Sequence, residues 1–574
     1  MPVAARLRQR IRRLRHDRRG VVAVMTAAMV IPVFMGSAAM GVDISGWYAT
    51  TSNLQKAADL AALGGAAHLP TSPAAAAATA TTIAATNGFR VGDGVTTAVN
   101  VRQTERPNQL QVEITASVVN SFGGLIGTPR TSLTKRAIAE YTEPYTVGSP
   151  CNLLGNEPLA GVEGGGPFAS GACPGGSVPR VWAEAAGPNT DKKWGNARDT
   201  RVCTSGGTDR CTGRTNSDYG KKGHFFKIEV RSPGPLRVQI FDPVLVHTGS
   251  TCESIPDTFT GRNRANPWTR DAKNRYAGGR TTQSPNGAPL CTGDHDYGQP
   301  DAVRTRAATT FALRAPGDSP DPMASPIVCT RQWDGFSGDM TNLAVEGRPG
   351  YKAQVGQAWR QWVDLCTVNA TVGTYYLQVR TNVPKNSNLA TGMNSAGDPG
   401  ARWAGKNGYS VRATVNGNGG GVTIGGDTGL ALSLNVAGDA RFHMARIGSQ
   451  MAGRLAVFNM FDLGDADAGR TGTVQLQAPP DSSGFNGSTI SSCQGKGVVN
   501  RTLANCTLPG VAAGRFDGRW QSFHVRFPTT YRCNDEDPNG CWFRIRMRFS
   551  GDGRLFDATS WNVGAPDSAI RLIK

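Results

Sequence analysis

The chain has 574 residues, a formal net charge of +18, and 72 glycines and 34 prolines against 7% aromatic residues. That length leaves room for two to four domains, and the Gly/Pro content points to turns and short strands and away from long helical bundles. Residues 1–20 hold eight arginines and one aspartate and so supply +7 of the charge; with no zinc-finger, helix-turn-helix or RNA-binding signature, the basicity does not indicate a nucleic-acid partner.

That basic tail (1–20) precedes Val21–Val42, 22 residues without a charge, and Asp43 is the first charge after them. At a helical rise the stretch reaches about 33 Å, enough to cross the hydrocarbon of a bilayer. The positive-inside rule puts the tail in the cytoplasm and everything after Asp43 outside, making a single-pass protein of the cell membrane. A secretory signal peptide is the rival reading, with Ser37-Ala38-Ala39 as its small-residue site; the length of the stretch and the helix that follows favour a retained anchor. Pro32, Gly36 and Gly41 are tolerated in membrane helices, and Ser37/Gly41 is a small-xxx-small pair that can pack a second helix.

Gly46–Leu69 continues as an Ala-rich helical pattern, with Gly64-Gly65 expected to end or loosen it. A second helix follows, with Ser72 as N-cap, Pro73 at the first position, Ala74–Ala85 as body and Asn87-Gly88 as stop. Val95–Val101 and Leu110–Val118 alternate as strands around a turn at Pro107-Asn108, and Thr131–Tyr141 is a third strand. Residues 43–145 are therefore expected to form a small α+β unit beside the membrane.

The order Arg18-Arg19-Gly20, an apolar span with central Pro32, Val42-Asp43 at its exit, then Leu54, Gln55, Ala57, Ala58, Asp59, Ala61, Ala62 and Leu63 resembles the TadE/TadG-like family. The likeness extends to about residue 140. It implies a bacterial protein taking part in assembly or anchoring of Flp-type (tight-adherence) surface pili, partnered through its N-terminal helix by other pilus-assembly or pilin-like membrane proteins. Members processed by a prepilin peptidase carry Glu near the Gly, whereas Met25 stands five residues after Gly20 here. Large members carry an Asp-x-Ser-x-Ser metal motif, and the nearest string, Asp43-Ile44-Ser45-Gly46-Trp47, lacks its second Ser.

Residues 146–215 are rich in Gly, Pro and Cys and read as a connector. Period-two alternation then dominates 216–415 and 429–574, separated by a Gly-rich joint at 416–428, and predicts two β-sandwich or jelly-roll modules. The modules read as diverged copies: Phe225–Pro243 and Phe442–Asp465 share an aromatic start, a loop, Leu-x-Val and Phe-Asp, and each module later has an aromatic-rich strand, TYYLQVR or CWFRIRMRF.

All twelve cysteines lie beyond Pro150. An even set on the outer side reads as disulfides, with Cys203–Cys211, Cys493–Cys506 and Cys533–Cys541 as neighbour pairs; zinc has no CxxC pair to support it. No hydrolase, phosphate-loop or dinucleotide motif occurs, so no catalytic residue is nominated and an enzyme is not expected, although paired carboxylates leave no local signature. Asp462, Asp465 and Asp467 offer oxygen ligands for calcium, set against ordinary Asp-Gly turn chemistry. Asp535-Glu536-Asp537 is a weaker candidate, and Asp294-His295-Asp296 reads as a solvated loop. Arg544, Arg546 and Arg548 alternate with apolar residues and give one strand a basic face, either solvated or turned to an acidic glycan or cell wall. A tethered envelope or glycan-binding protein is thus the alternative function, with a tethered hydrolase third.

Overall fold

The computed structural model describes residues 18–155, 181–247 and 308–573 apart from short breaks, with four two-residue strands between 260 and 290. The contacts divide the chain into two compact units: Met1–Thr142 with Asp318–Pro320 and Ser568–Lys574, and Glu143–Gly317 with Asp321–Asp567.

In the first unit, α1 (Arg18–Ala66) is a 49-residue helix that runs through Pro32 without a break. One of its stretches, Val22–Ala66, is long and apolar enough to cross a membrane. Ser37 and Ser45 return their hydroxyls to the Val33 and Gly41 carbonyls, so neither leaves an unpaired polar group in the apolar region. Helix α2 (Pro73–Thr86) has the expected punctuation: Ser72 accepts from the Ala75 amide, and Asn87 ends the helix. Strands β1 (Thr96–Gln103), β2 (Gln109–Val119) and β3 (Arg130–Tyr141) form an antiparallel sheet. Leu54, Ala57, Ala58, Ala61, Ala62 and Ala66 are buried in one apolar cluster with Ala76, Ala80 and Ala84 of α2 and Val112 and Ile114 of β2.

Gly64 and Gly65 do not end α1. They lie within its last turns, where a Cβ on Gly65 would meet the Leu110 side chain and the Ala76 carbonyl at 2.4 and 2.7 Å, and one on Gly64 would meet Ile83. Their role is close approach between helices and sheet. The strand Ile570–Leu572, expected within the last β module, pairs with β3 instead and brings Arg571 to the buried Glu140 at 3.0 Å.

The second unit is a β-sandwich of two large sheets whose inner faces share one core. One sheet runs Trp362–Ala370, Gly234–Phe241, Lys406–Val415, Val181–Ala186, Leu430–Ala437, Arg554–Gly564, Leu455–Phe461, Trp520–Arg526 and Cys493–Gly497. The other runs Ile327–Trp333, Thr309–Arg314, Gly373–Thr381, His224–Val230, Val422–Gly426, Val147–Gly148, Asp439–Arg446, Trp542–Phe549, Gly472–Gln477 and Thr507–Val511. Ring contacts bridge the layers, as in Phe226 and Phe311 on Tyr409 (6.2 and 5.5 Å) and Phe458 on Phe543 (5.3 Å).

The two copies suspected from sequence have the same topology. In one, His224–Val230 crosses to Gly234–Phe241; in the other, Asp439–Arg446 crosses to Leu455–Phe461. TYYLQVR and CWFRIRMRF each pair with the first strand of their copy, and Lys406–Val415 and Arg554–Gly564 each pair with the second. Even the Phe-Asp ends match, with Asp242 and Asp462 both buried at positive φ (55° and 57°).

Where the sequence suggests a connector (146–215) and a linker (416–428), the structure has seam strands. Val181–Ala186 lies between strands of the two copies in one sheet, and Val422–Gly426 with Val147–Gly148 does so in the other. Glycine is needed there for close approach: a Cβ on Gly425 would meet Thr146 and the Val147 carbonyl. Local composition reads such glycines as a loop.

Candidate functional site

The apolar part of α1 is the most unusual surface of the chain. Met29, Phe34 and Val33 expose 74, 71 and 67% of their area, and Val42 and Ile44 about half, on every side of the helix. A soluble protein does not leave such a length of Val, Met and Phe uncovered.

Where the apolar run ends, Asp43 is buried, and its carboxylate accepts from three consecutive backbone amides: Ser121 at 2.6 Å, Phe122 at 3.1 Å and Gly123 at 2.8 Å. These amides open the β2–β3 turn, a 3-10 segment at Gly123–Ile126. One turn further along α1, Trp47 donates its indole N–H to Asn120 Oδ1 at 2.8 Å, and Asn120 Nδ2 donates to the Thr128 carbonyl. The Val-Asp at the helix exit is therefore a clamp that fixes the α+β unit onto the base of its own helix. Sequence reading marks Asp43 as the first charge and as part of the Val42-Asp43 pattern, but not as a clamp, because its partners lie nearly 80 residues away.

The remaining residues of the N-terminal pattern have equally concrete roles. Leu54, Ala57, Ala58, Ala61 and Ala62 form the face laid on the sheet, where small side chains let the helix lie close. Gln55 donates to Asp59 at 2.8 Å and to the Arg136 carbonyl at 3.3 Å, tying the motif's two polar members to β3.

Of the calcium candidates, Asp465 and Asp467 lie outside the described residues, as do Cys173, Cys252, Cys291 and Asp294-His295-Asp296. Asp462 accepts from the Gly518 amide at 2.5 Å, while its own amide donates to the Arg519 carbonyl. It holds a turn, as its position matching Asp242 also indicates. Asp535 accepts from the Ser449 amide at 3.0 Å and Asp537 from the Asn539 amide at 2.9 Å, so both fasten backbone within or beside the Cys533–Cys541 loop. Asp481 meets those two sulfurs, but they form a disulfide, and Asp481 accepts from the Cys541 and Asn534 amides.

Disulfides join Cys203–Cys211, Cys493–Cys506 and Cys533–Cys541, the neighbour pairs named above, and also Cys329–Cys366. The last joins the first strand of one sheet to the first strand of the other, and at the opposite end Cys493–Cys506 joins the edge strand Cys493–Gly497 to the 3-10 turn that leads into the edge strand Thr507–Val511. Both open edges of the sandwich are thus stapled across the layers. Neither that geometry nor the 37-residue separation of Cys329 and Cys366 leaves a local signal.

The basic strand face is present. Register sets Arg548 beside Asp439, Arg546 beside Arg441 and Arg544 beside His443, with Thr473, Gln475 and Gln477 on the other flank. Asp439 bonds Arg546 Nε at 2.8 Å and Arg548 Nε at 3.3 Å, and these contacts hold its carboxyl at about 2. Arg441 and Arg544 have no carboxylate within ion-pair distance among the described residues, and the Arg544 Nε is buried without an acceptor.

Sequence reading missed one cluster altogether. Glu184, Asp199, Arg198, His224 and Tyr409 interact electrostatically beside a recess lined by Asp199, Tyr219, Arg380 and Thr381. Burial pushes Asp199 up to about 6, against the hydrogen bond from Asn196. Burial, helped by Arg198, lowers His224 to about 3, so the imidazole is neutral at any physiological pH. Its ring packs edge-on against Phe226 at 4.7 Å, and its Nε2 has no hydrogen-bond partner among the described residues.

No curated protein and no solved structure matches this chain. Residues 20–68 match one family model, described as "Putative Flp pilus-assembly TadE/G-like". Those residues contain the uncovered apolar helix, the Asp43 clamp and the alanine face, and so this segment of the chain is similar to the TadE/G-like family model.

Proposed function

We propose that this is a single-pass membrane protein that takes part in assembling or anchoring Flp/Tad-type pili, with residues 1–20 in the cytoplasm and the disulfide-bonded sandwich outside. The observation that carries the reading is the coincidence of the family match with one structural device: a membrane-length helix whose outer half is bound along its alanine face to a small sheet. Such a helix can join other membrane helices through its uncovered part while the clamped unit holds the sandwich at the cell surface. The role is non-enzymatic. In cells lacking the native gene, the full chain should restore pili, and a chain deleted for residues 1–70 should not. Normal piliation by the deleted chain would sink the reading.

The Arg441/Arg544/Arg546/Arg548 face favours a second reading, a receptor for anionic cell-wall glycan. Planar guanidinium forks match carboxylates, and Arg441 and Arg544 meet no carboxylate among the described residues. Retention of the full chain on an acidic polysaccharide column should fall in the Arg441→Gln/Arg544→Gln variant. Equal retention of variant and parent on the column removes this reading and leaves the first intact.

A further inference from the structure

The first unit leaves an apolar rim at the end where α1 enters it. Val119 exposes 63% of its surface and Phe122 41%, on the turn that Asp43 grips. Val91 and Val95 expose 56 and 44% on the neighbouring turn before β1. The two turns are joined at that end of the sheet: the Ser117 amide donates to the Val95 carbonyl at 2.8 Å, and Arg130 reaches the Gly94 carbonyl. Asp93 accepts from the Val95, Thr96 and Arg90 amides, which fixes the Val91 turn. Tyr48 on α1 is 80% exposed, within two turns of Asp43, and Arg90 and Arg130 are exposed on the same rim.

We propose that this rim is a second lipid contact: Val91, Val95, Val119 and Phe122 seat in the headgroup–acyl boundary, with Arg90 and Arg130 at anionic headgroups. The inference rests on the reading that α1 crosses the bilayer. Asp43 is the first charge after 22 uncharged residues and therefore stands where hydrocarbon gives way to headgroups. Direct hydrogen bonds put Phe122 at that same level, so the rim reaches the boundary without any rearrangement. Aromatic and aliphatic side chains with nearby arginines are the composition that boundary selects. Where a helix alone leaves its attached domain free to tilt, a second contact fixes its orientation on the surface, and with it the direction in which the rest of the chain is presented.

The test uses the full chain, disulfides intact, in vesicles of phosphatidylcholine and phosphatidylglycerol. A nitroxide is attached at Phe122→Cys, at Val119→Cys and, as a control, at Glu105→Cys, which is exposed at the opposite end of the sheet. Collision with oxygen relative to a water-soluble nickel chelate should be several-fold higher at 122 and 119 than at 105. Equal ratios at all three sites, in protein that still floats with the vesicles after alkaline carbonate, overturn the rim contact and leave the spanning helix standing. Loss of the protein in carbonate overturns the spanning reading itself. Shielding of 122 from both collision partners, with spin–spin broadening, assigns the rim to a second copy of the chain and rejects lipid.

Discussion

Asp43 fastens the turn at 121–123, because its carboxylate accepts from three of the turn's backbone amides. Asp43→Ala should cost about 2–4 kcal/mol in that unit, since the amides lose a charged acceptor in a buried setting; faster hydrogen exchange confined to residues 120–128 is the measurement. In the second unit, Lys192 is fully buried and donates to Asp218 at 2.8 Å and to the Asp209 carbonyl at 2.7 Å. Lys192→Ala should destabilise by about 1–3 kcal/mol in denaturant titration, because the Asp209 carbonyl loses its donor while the half-buried Asp218 keeps only Arg210 and the Trp520 indole N–H. The buried His224 and the half-buried Asp199 have opposite pH signatures. His224, lowered to about 3, binds its proton in the unfolded chain first, so stability is lost as pH falls from 6.5 toward 3. Asp199, raised to about 6, is protonated in the native state first, so its contribution is present at low pH and lost as pH rises from about 4 to 6. Melting temperatures should therefore fall less with acid in His224→Phe than in the parent. Asp199→Asn should gain on the parent between pH 4 and 7, by up to about 3 kcal/mol.

At the scale of elements, the edges decide most. Ile327–Trp333 and Trp362–Ala370 end their sheets on one side, Cys493–Gly497 and Thr507–Val511 on the other; a disulfide ties the first pair, and another ties Cys493 to Cys506, the residue just before Thr507. The loops closed are 37 and 13 residues, so chain entropy predicts losses of about 4 and 3 kcal/mol on replacing Cys329/Cys366 and Cys493/Cys506 by serine. Equilibrium unfolding of the two double variants checks both the size and the order. The alanine face of α1 puts one side of the helix on the sheet, whereas its apolar stretch Val22–Val42 is exposed all round.

For the whole molecule, the duplicated sandwich is the main result. Two copies with one topology share both sheets, and the strands that join them come from the two segments with the least regular composition. Limited proteolysis of the native protein should consequently spare 416–428, where Val422–Gly426 is paired on both sides; recovery of two stable halves cut there would mean that the copies are independent.

The helix of membrane length, the α2 punctuation, the three strands of the first unit, the short-range cysteine pairs and the copy-to-copy likeness were all legible in residue order. Each depends on spacing within a few residues or on direct comparison of two segments. Alternation also announced a mainly-β second unit. The Asp43 clamp, the Cys329–Cys366 staple, the fusion of two modules through seam strands and the Glu184/Asp199/His224 cluster were not legible. They are long-range pairings, in which neither partner carries a mark of the other. Glycine made the difference at the seam and near the end of α1, because the residue that permits a loop is also the residue that permits two backbones to touch, and only the tertiary structure distinguishes the two uses.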